Sequence, residues 1–310
     1  MRRRMTILAV AAALFLLAGC DFEDFGSSDR YTADFHHTYP LKSGGRISVE
    51  NFNGSIEISG WDQDSVDISG VKYAATTELR DAIKIDIVTT GDTIHIRTVR
   101  PSERRGNMGA KYVIKAPRRT ELERIISSNG PIRVTEIDGP ARLRSSNGAI
   151  RVMNVRGNVE IQTSNGGIEI QDLDGGANLK TSNGRIRADS VRGSLEATTS
   201  NGSINAHLAK SDSGRPIKLE SSNGSIDLTL DHMNHNDVYA STSNSGITLH
   251  MPASMGARVK AHTSNSSIST EFDVQMQGAI SKHNLEGTIG GGGPLLDLST
   301  SNGSIRLVKM

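Results

Sequence analysis

The chain of 310 residues carries 35 basic and 34 acidic residues, a formal net charge of +1, and only 4% aromatic residues. Beyond the N-terminus it has no run of basic residues, which argues against nucleic acid as a partner and against electrostatic docking on anionic lipid. Few rings are present to stack on bases or sugars. Because Cys20 is the single cysteine, no disulfide can form within the chain.

The first 20 residues have the parts of an export signal. Residues 2–4 are three arginines, and residues 7–17 form an apolar run that is shorter than the roughly 20 residues needed to span a membrane. The run ends in Leu17-Ala18-Gly19-Cys20, which resembles a bacterial lipobox. We therefore predict a signal peptide over residues 1–19 and a lipid on Cys20. The alternative is an ordinary cleaved signal with an incidental cysteine.

Removal of residues 1–19 leaves 32 basic against 34 acidic residues. Residues 20–40 are polar and aperiodic, which predicts the lipidated cysteine followed by a flexible tether. Asp21 resembles a signal for retention at the inner membrane, so the expected location is the cell envelope, at the periplasmic face of the inner membrane. The outer membrane is the alternative. Residues 41–120 alternate weakly and predict an N-terminal region of irregular β-coils or a cap.

A repeat centred on Ser-Asn-Gly dominates residues 121–310. Its asparagines are Asn129, Asn147, Asn165, Asn183, Asn201, Asn223, Asn244, Asn265 and Asn302. The first four intervals are 18 residues, the later ones are 22, 21, 21 and 37, and a diverged copy occurs at Asn53-Gly54. A fixed period is the signature of a repeat architecture. The longer intervals predict loops, of which the longest covers residues 271–294.

Each repeat alternates apolar and polar residues. Val159 and Ile161 precede Asn165 with a period of two, and Ile168 and Ile170 follow it. This alternation predicts strands with one buried face. The Asn-Gly pair between the strands predicts a turn with φ > 0, because these residues adopt that conformation at least cost.

Two architectures can use this pattern. In an antiparallel hairpin meander, Ile161 would pair with Ile170 across a type I′ turn. In a parallel β-solenoid with coils of about 18–22 residues, Ile161 would stack on Leu143 and Leu179, and the asparagine amides would hydrogen-bond along the axis. We favour the all-β solenoid, because a coil closes its apolar face on itself, whereas no segment here could cover a meander.

Three features together resemble one family. They are the strand Lys111–Pro117, the Ser-Asn-Gly-x-Ile units, and a Gly-rich stretch over 287–292 that leads to the last repeat over 298–305. In this order they are similar to the bacterial "putative adhesin" β-strand-repeat family, domain of unknown function 4097, across about residues 40–310. The resemblance implies a right-handed parallel β-helix at the cell envelope. The adhesin label itself rests on analogy.

No pattern typical of catalysis is found. β-Helix enzymes that act on polysaccharides need clustered carboxylates, whereas the outward column four residues after each asparagine contains no adjacent pair of them. Its members are Arg133, Arg151, Glu169, Arg187, Asn205, Asp227, Thr248 and Arg306. The mixed signs predict a solvated ladder, with a binding stripe as the alternative. Gly-x-Ser-x-Gly is absent, so we predict no catalytic residue and no cofactor.

A polar segment over residues 231–237 contains two histidines three residues apart, His232 and His235. A structural zinc site takes four ligands of defined geometry, so the segment predicts a surface loop rather than a metal site. The stretch near Gly290 lacks the Gly-Lys-Ser/Thr of a phosphate loop.

These features predict a non-enzymatic envelope lipoprotein that presents a rigid β-repeat rod for adhesion or scaffolding. Its expected partners are the membrane, through the lipid on Cys20, and an envelope protein or a polysaccharide. Two alternatives stay open. One is a module that senses or regulates envelope stress, and the less favoured one is a carbohydrate-active enzyme built on a β-helix.

Overall fold

The computed structural model describes residues 31–102, 106–212, 214–232, 235–276 and 281–310. The predicted signal peptide, Cys20 and the first part of the predicted tether lie outside these residues. Within them, strands and one short helix build two long sheets that share a single apolar core.

The elements follow the chain in three groups. The N-terminal elements are β1 (Tyr31–Pro40), β2 (Arg46–Asn51), β3 (Ile56–Trp61), β4 (Ser65–Ala74), α1 (Thr77–Ala82), β5 (Lys84–Thr90), β6 (Thr93–Val99) and β7 (Met108–Pro117). The repeats form β8 (Glu121–Ser127), β9 (Ile132–Thr135), β10 (Ala141–Ser145), β11 (Ile150–Arg156), β12 (Val159–Thr163), β13 (Ile168–Asp174), β14 (Ala177–Lys180), β15 (Ile186–Gly193), β16 (Leu195–Thr199), β17 (Ile204–Ser211), β18 (Ile217–Ser221), β19 (Ile226–Leu230), β20 (Val238–Thr242) and β21 (Ile247–Met251). The C-terminal strands are β22 (Ala257–Thr263), β23 (Ile268–Thr270), β24 (Val274–Met276), β25 (Asn284–Ile289), β26 (Leu295–Thr300) and β27 (Ile305–Lys309).

Successive strands of the repeats alternate between the two sheets. Sheet A has the order β1-β4-β7-β3-β9-β11-β13-β15-β17-β19-β21-β27-β23. Sheet B has the order β24-β25-β22-β26-β20-β18-β16-β14-β12-β10-β8-β2-β6-β5. Each coil therefore gives one strand to each sheet, and the rod grows by stacking coils.

The register of the repeats is that of a solenoid. Leu143 pairs with Ile161, and Ile161 with Leu179, in parallel strands. Ile168 lies between its equivalents Ile150 and Ile186 in the same way. The inward residues of both sheets are buried against each other. The predicted parallel solenoid is confirmed, and the alternative of an antiparallel meander is wrong for the repeats.

The N-terminal end is a mixed region. Strand β4 runs antiparallel to both β1 and β7, and β5 runs antiparallel to β6. Strand β1 pairs along its whole length with β4, and Phe35 packs edge-on against buried Tyr112 with ring centroids 5.4 Å apart. The predicted tether over residues 20–40 is therefore wrong from residue 31 onward. Half-buried Phe35 and Tyr39 contact the core from an otherwise polar strand, which the sequence pattern did not reveal.

The C-terminal end departs from chain order. Strand β26 lies between β20 and β22, and β27 lies between β21 and β23. The coil of Asn302 is thus inserted before the coil of Asn265. The predicted loop over residues 271–294 is wrong in part, because it contains β24 and β25, which pair with each other in antiparallel fashion.

Candidate functional site

The nine repeated asparagines stand in one column at the first corner, where each sheet B strand passes into the next sheet A strand. Asn165 donates its Nδ2–H to Asn147 Oδ1 at 2.7 Å and accepts from Asn183 Nδ2 at 2.7 Å. The same bond, at 2.6–2.8 Å, joins all members of the ladder in the order Asn53, Asn129, Asn147, Asn165, Asn183, Asn201, Asn223, Asn244, Asn302 and Asn265. Because these amides bond to one another, the column stabilises the stack of coils.

A buried hydroxyl two residues before each asparagine forms a second ladder inside this corner. Thr163 Oγ1 donates to the carbonyl of Gly148 in the preceding coil at 3.1 Å and accepts from the N–H of Gly166 at 3.3 Å. The same pair of bonds is made by Ser145, Thr181, Thr199 and Ser221. Each hydroxyl satisfies two backbone groups that would otherwise be unpaired, so these side chains serve the stack.

The glycine of this corner is required by close approach rather than by backbone conformation. All nine asparagines and the glycines that follow them are described, and none has φ in the left-handed region, so the predicted turn with φ > 0 is wrong. A Cβ on Gly166 would overlap the carbonyl oxygen of Gly148, and one on Gly184 would overlap that of Gly166. Successive backbones stack too closely here to admit a side chain.

Left-handed residues occur instead at the second corner, where each sheet A strand passes into sheet B. They are Glu136 (φ 58°), Asn154 (φ 53°), Asp172 (φ 53°) and Ser190 (φ 55°). They recur every 18 residues and border a polar groove of about 710 Å³. Arginines separate its carboxylates, as where Arg118 Nη1 donates to Glu136 at 2.7 Å. The groove therefore has the mixed charge of a solvated surface.

The predicted outward column lies on the solvent face of sheet A. Arg151 Nε donates to Glu169 Oε2 at 2.9 Å, with both side chains about half exposed. Arg133 and Arg151 are neighbours in register. The column has the features of a solvated ladder.

His207 forms a link between coils that the sequence analysis did not predict. Its Nδ1 lies 3.0 Å from Asp189 Oδ1, and its Nε2 lies 2.9 Å from Asp231 Oδ2. Partial burial lowers the pKa of His207, but hydrogen bonds and charge from the two carboxylates outweigh burial and raise the pKa above its ordinary value. The three residues belong to successive coils. The 18-residue interval between Asp189 and His207 was the available signal.

The predicted loop over residues 231–237 is described only in part, because residues 233 and 234 lie outside the described residues. In the described part of the chain, no group of three or more His, Cys, Asp or Glu residues is placed to hold a metal ion. Over the same residues, no helix has the length and apolar character needed to cross a membrane.

A concave surface on the solvent face of sheet B is the candidate binding site. We call it the sheet B bowl. It encloses about 420 Å³, and its main residues are Ser48, His95, Glu123, Ile126, Arg144 and Gln162. It crosses strands β6, β2, β8, β10 and β12, where the irregular N-terminal coils meet the regular repeats.

A β-bulge in β8 shapes the bowl. Ile47 and Ser48 of β2 pair with Leu122 and Arg124, so Glu123 is an extra residue. Glu123 and Arg124 consequently both reach the surface. Bulges redirect side chains and are over-represented next to functional sites.

Ile126 breaks the binary pattern of sheet B. Its outward position is polar in each of the next five coils, which hold Arg144, Gln162, Lys180, Thr198 and Glu220. Ile126 is half-buried and lies outside the apolar core. The sequence signal was the Ile125-Ile126 pair, in which two apolar residues interrupt the alternation.

The arginines around Ile126 differ in their partners. Arg124 Nη1 lies 2.9 Å from Glu50 Oε1, and Arg142 Nε lies 3.6 Å from Glu160 Oε2. Arg144 is exposed and makes no ion pair with any described residue. The bowl therefore combines an aliphatic floor with one uncommitted guanidinium group.

A second groove of about 520 Å³ continues from the bowl along the rod axis. Arg142 and Glu160 line both cavities. The groove crosses six strands of sheet B from Glu121 to Lys218, and Asn158 Oδ1 in it accepts the N–H of Gly176 at 2.9 Å. The two cavities form one continuous surface.

The fold defines this chain as an all-β solenoid repeat protein. The profile of the Toastrack DUF4097 family matches residues 45–250, more than half of the chain. The chain therefore belongs to this family, and the resemblance read from the sequence is confirmed. No curated protein matches the chain significantly.

Solved structures are similar to the chain at low identity. A putative cell adhesion protein from Clostridium sporogenes is 9% identical with a TM-score of 0.24, and 90% of this chain and 100% of that chain are covered. A putative adhesin from Bacteroides fragilis is 13% identical with a TM-score of 0.42, covering 89% and 97%. A putative adhesin from Parabacteroides distasonis is 10% identical with a TM-score of 0.44, covering 91% and 98%.

Proposed function

We propose that this chain is a non-enzymatic, adhesin-like protein of the cell envelope, held at a membrane by a lipid on Cys20. One observation carries the proposal. The side chains that dominate the repeat, the asparagines and the buried hydroxyls, bond to their equivalents in neighbouring coils and so build length. Such a rod offers an extended surface for binding, as solenoids do elsewhere.

The distance between the anchor and the rod supports this arrangement. Ten residues, 21–30, separate Cys20 from the first strand at Tyr31. Fully extended, they span at most about 35 Å. The end of the rod that carries β1 would therefore stay close to the membrane, while the repeats present the binding surface.

Metabolic labelling with an alkyne fatty acid tests the anchor. We expect the full chain, expressed in a bacterial host, to incorporate the label and to fractionate with membranes, since multiple acyl chains anchor stably. A Cys20→Ala variant should carry no label. Equal labelling of the two proteins would contradict the proposal.

Incubation of the purified chain with a panel of polysaccharides tests the absence of catalysis. We expect no release of reducing ends or unsaturated sugars. The acidic second corner offers the best-placed alternative, so Asp172→Asn and Asp174→Asn are the informative variants. Turnover by the wild type that either substitution abolished would favour the carbohydrate-active enzyme instead.

A further inference from the structure

We propose that the sheet B bowl binds the C-terminus of a peptide whose last residue is aliphatic. Arg144 would take the carboxylate and Ile126 the aliphatic side chain. The inference rests on the proposed function as a binding protein, and it names the chemical class of the partner.

The carboxylate is assigned from the charges of the bowl. Arg124 and Arg142 already face Glu50 and Glu160, whereas Arg144 is exposed and uncommitted among the described residues. A guanidinium group presents a planar fork that matches a carboxylate with two parallel hydrogen bonds. The bowl is therefore complementary to one negative charge.

The aliphatic group is assigned from the floor. Ile126 lies beside Arg144 in register, about 4.8 Å away along the sheet. This separation is short enough for a carboxylate and the side chain on its own α-carbon to reach both residues. No aromatic ring lines the bowl among the described residues, so it lacks the stacking platform that sugars use.

The axial groove accounts for the rest of the peptide. It continues from the bowl at Arg142 and Glu160 and crosses six strands, about 24 Å at the strand spacing. An extended peptide rises about 3.4 Å per residue. The groove is thus long enough for several residues that precede the bound C-terminus.

Fluorescence anisotropy with labelled peptides tests this assignment on the full chain in detergent. The probe is a fluorescein-labelled peptide ending in Gly-Ser-Ala-Val with a free carboxylate, and its C-terminal amide is the matched control. We expect the amide to bind about tenfold more weakly or worse, because a hydrogen-bonded charge is lost. Galacturonate is included as a competitor, to represent an acidic sugar.

Three variants locate the interaction. Arg144→Gln should weaken the acid peptide about tenfold, whereas Lys180→Gln, which removes a positive charge two coils further along the same column, should not change it. Ile126→Thr, which restores a polar residue, should also weaken binding. Thermal melts of all three should match the wild type, since each residue reaches the surface.

Equal affinity for the acid and the amide, or equal effects of Arg144→Gln and Lys180→Gln, would overturn the assignment. Binding of galacturonate without binding of the peptide would overturn it in favour of an acidic sugar. These outcomes are independent of lipid labelling at Cys20, so failure of the bowl and failure of the proposed function are distinguishable.

Discussion

The two corners of the solenoid solve the same problem, reversing the chain between sheets, in different ways. At the first corner every coil repeats nearly the same residues, and their side chains bond to the coil before and the coil after, as Asn165 does with Asn147 and Asn183. At the second corner the equivalent positions hold Glu136, Asn154, Asp172 and Ser190, which share a left-handed backbone and little chemistry.

The difference shows what makes a repeat uniform in sequence. Where the side chain of one coil is the hydrogen-bond partner of the next, a change in one coil also removes an interaction from its neighbours. Where only the backbone conformation is shared, each residue is independent of the others and the sequence drifts. Uniformity in this rod therefore marks contact between coils, and departures from it mark places free to acquire other roles.

The largest expected effect is at the first-corner glycine. Gly166→Ala should lower the free energy of unfolding by about 3 kcal/mol, because the new Cβ overlaps the Gly148 carbonyl and the coils must separate. Gly167→Ala is the matched control, since its Cβ meets only the Arg185 carbonyl at 3.3 Å. Denaturant melts, with hydrogen exchange to detect local loosening of coils, should show a clear gap between the two. Equal losses would contradict the close-approach explanation.

A smaller loss is expected from the asparagine ladder. Asn165→Ala should cost about 1 kcal/mol, the usual value of a lost hydrogen bond. Because Asn165 does not have a left-handed backbone, Asn165→Gly should be no less damaging than Asn165→Ala, and chain entropy should make it slightly worse. Melts in which glycine recovered stability relative to alanine would restore the φ > 0 turn.

The second corner should respond to glycine with the opposite sign. Asp172 has φ 53°, which costs a non-glycine residue about 1–2 kcal/mol, while glycine adopts it freely. After the entropy that glycine adds to the unfolded chain, Asp172→Gly should gain up to about 1 kcal/mol. The same melt applied to Asn165→Gly gives the paired measurement, and a loss at both corners would remove the contrast.

The smallest effect concerns His207 and pH. Asp189 and Asp231 hold the pKa of His207 above its ordinary value despite partial burial. A raised pKa in the folded state means that the stabilisation is fully present below about pH 6.5, the unfolded value, and is lost as the pH rises through the folded pKa. Melting temperatures from pH 5.5 to 8.5 should fall more steeply for the wild type than for His207→Gln. Parallel slopes would exclude the link.

Much of the regular rod could be predicted from the sequence. Alternation and the 18-residue period predicted that Ile161 stacks on Leu143 and Leu179, and the structure shows this pairing. The reason for Gly166 could not be predicted, because glycine is required equally by a left-handed turn and by a close approach. Only the neighbouring coil distinguishes the two.

The binding surface was harder to predict, because it depends on contacts between distant parts of the chain. The Ile125-Ile126 pair was visible as a break in alternation, but the bulge at Glu123 appears only when β2 pairs with β8, more than 70 residues along the chain. Strand β1 was missed for a similar reason, since Phe35 contacts the core only through its pairing with β4.

One experiment tests most directly the central claim that repeated residues build the rod and exceptional ones bind. Unfolding and peptide binding would be measured side by side for Asn165→Ala and Arg144→Gln. The account predicts that Asn165→Ala loses about 1 kcal/mol of stability and keeps wild-type affinity, whereas Arg144→Gln keeps stability and loses affinity. Loss of affinity with unchanged stability in Asn165→Ala would make the asparagine ladder a recognition stripe and would contradict the account.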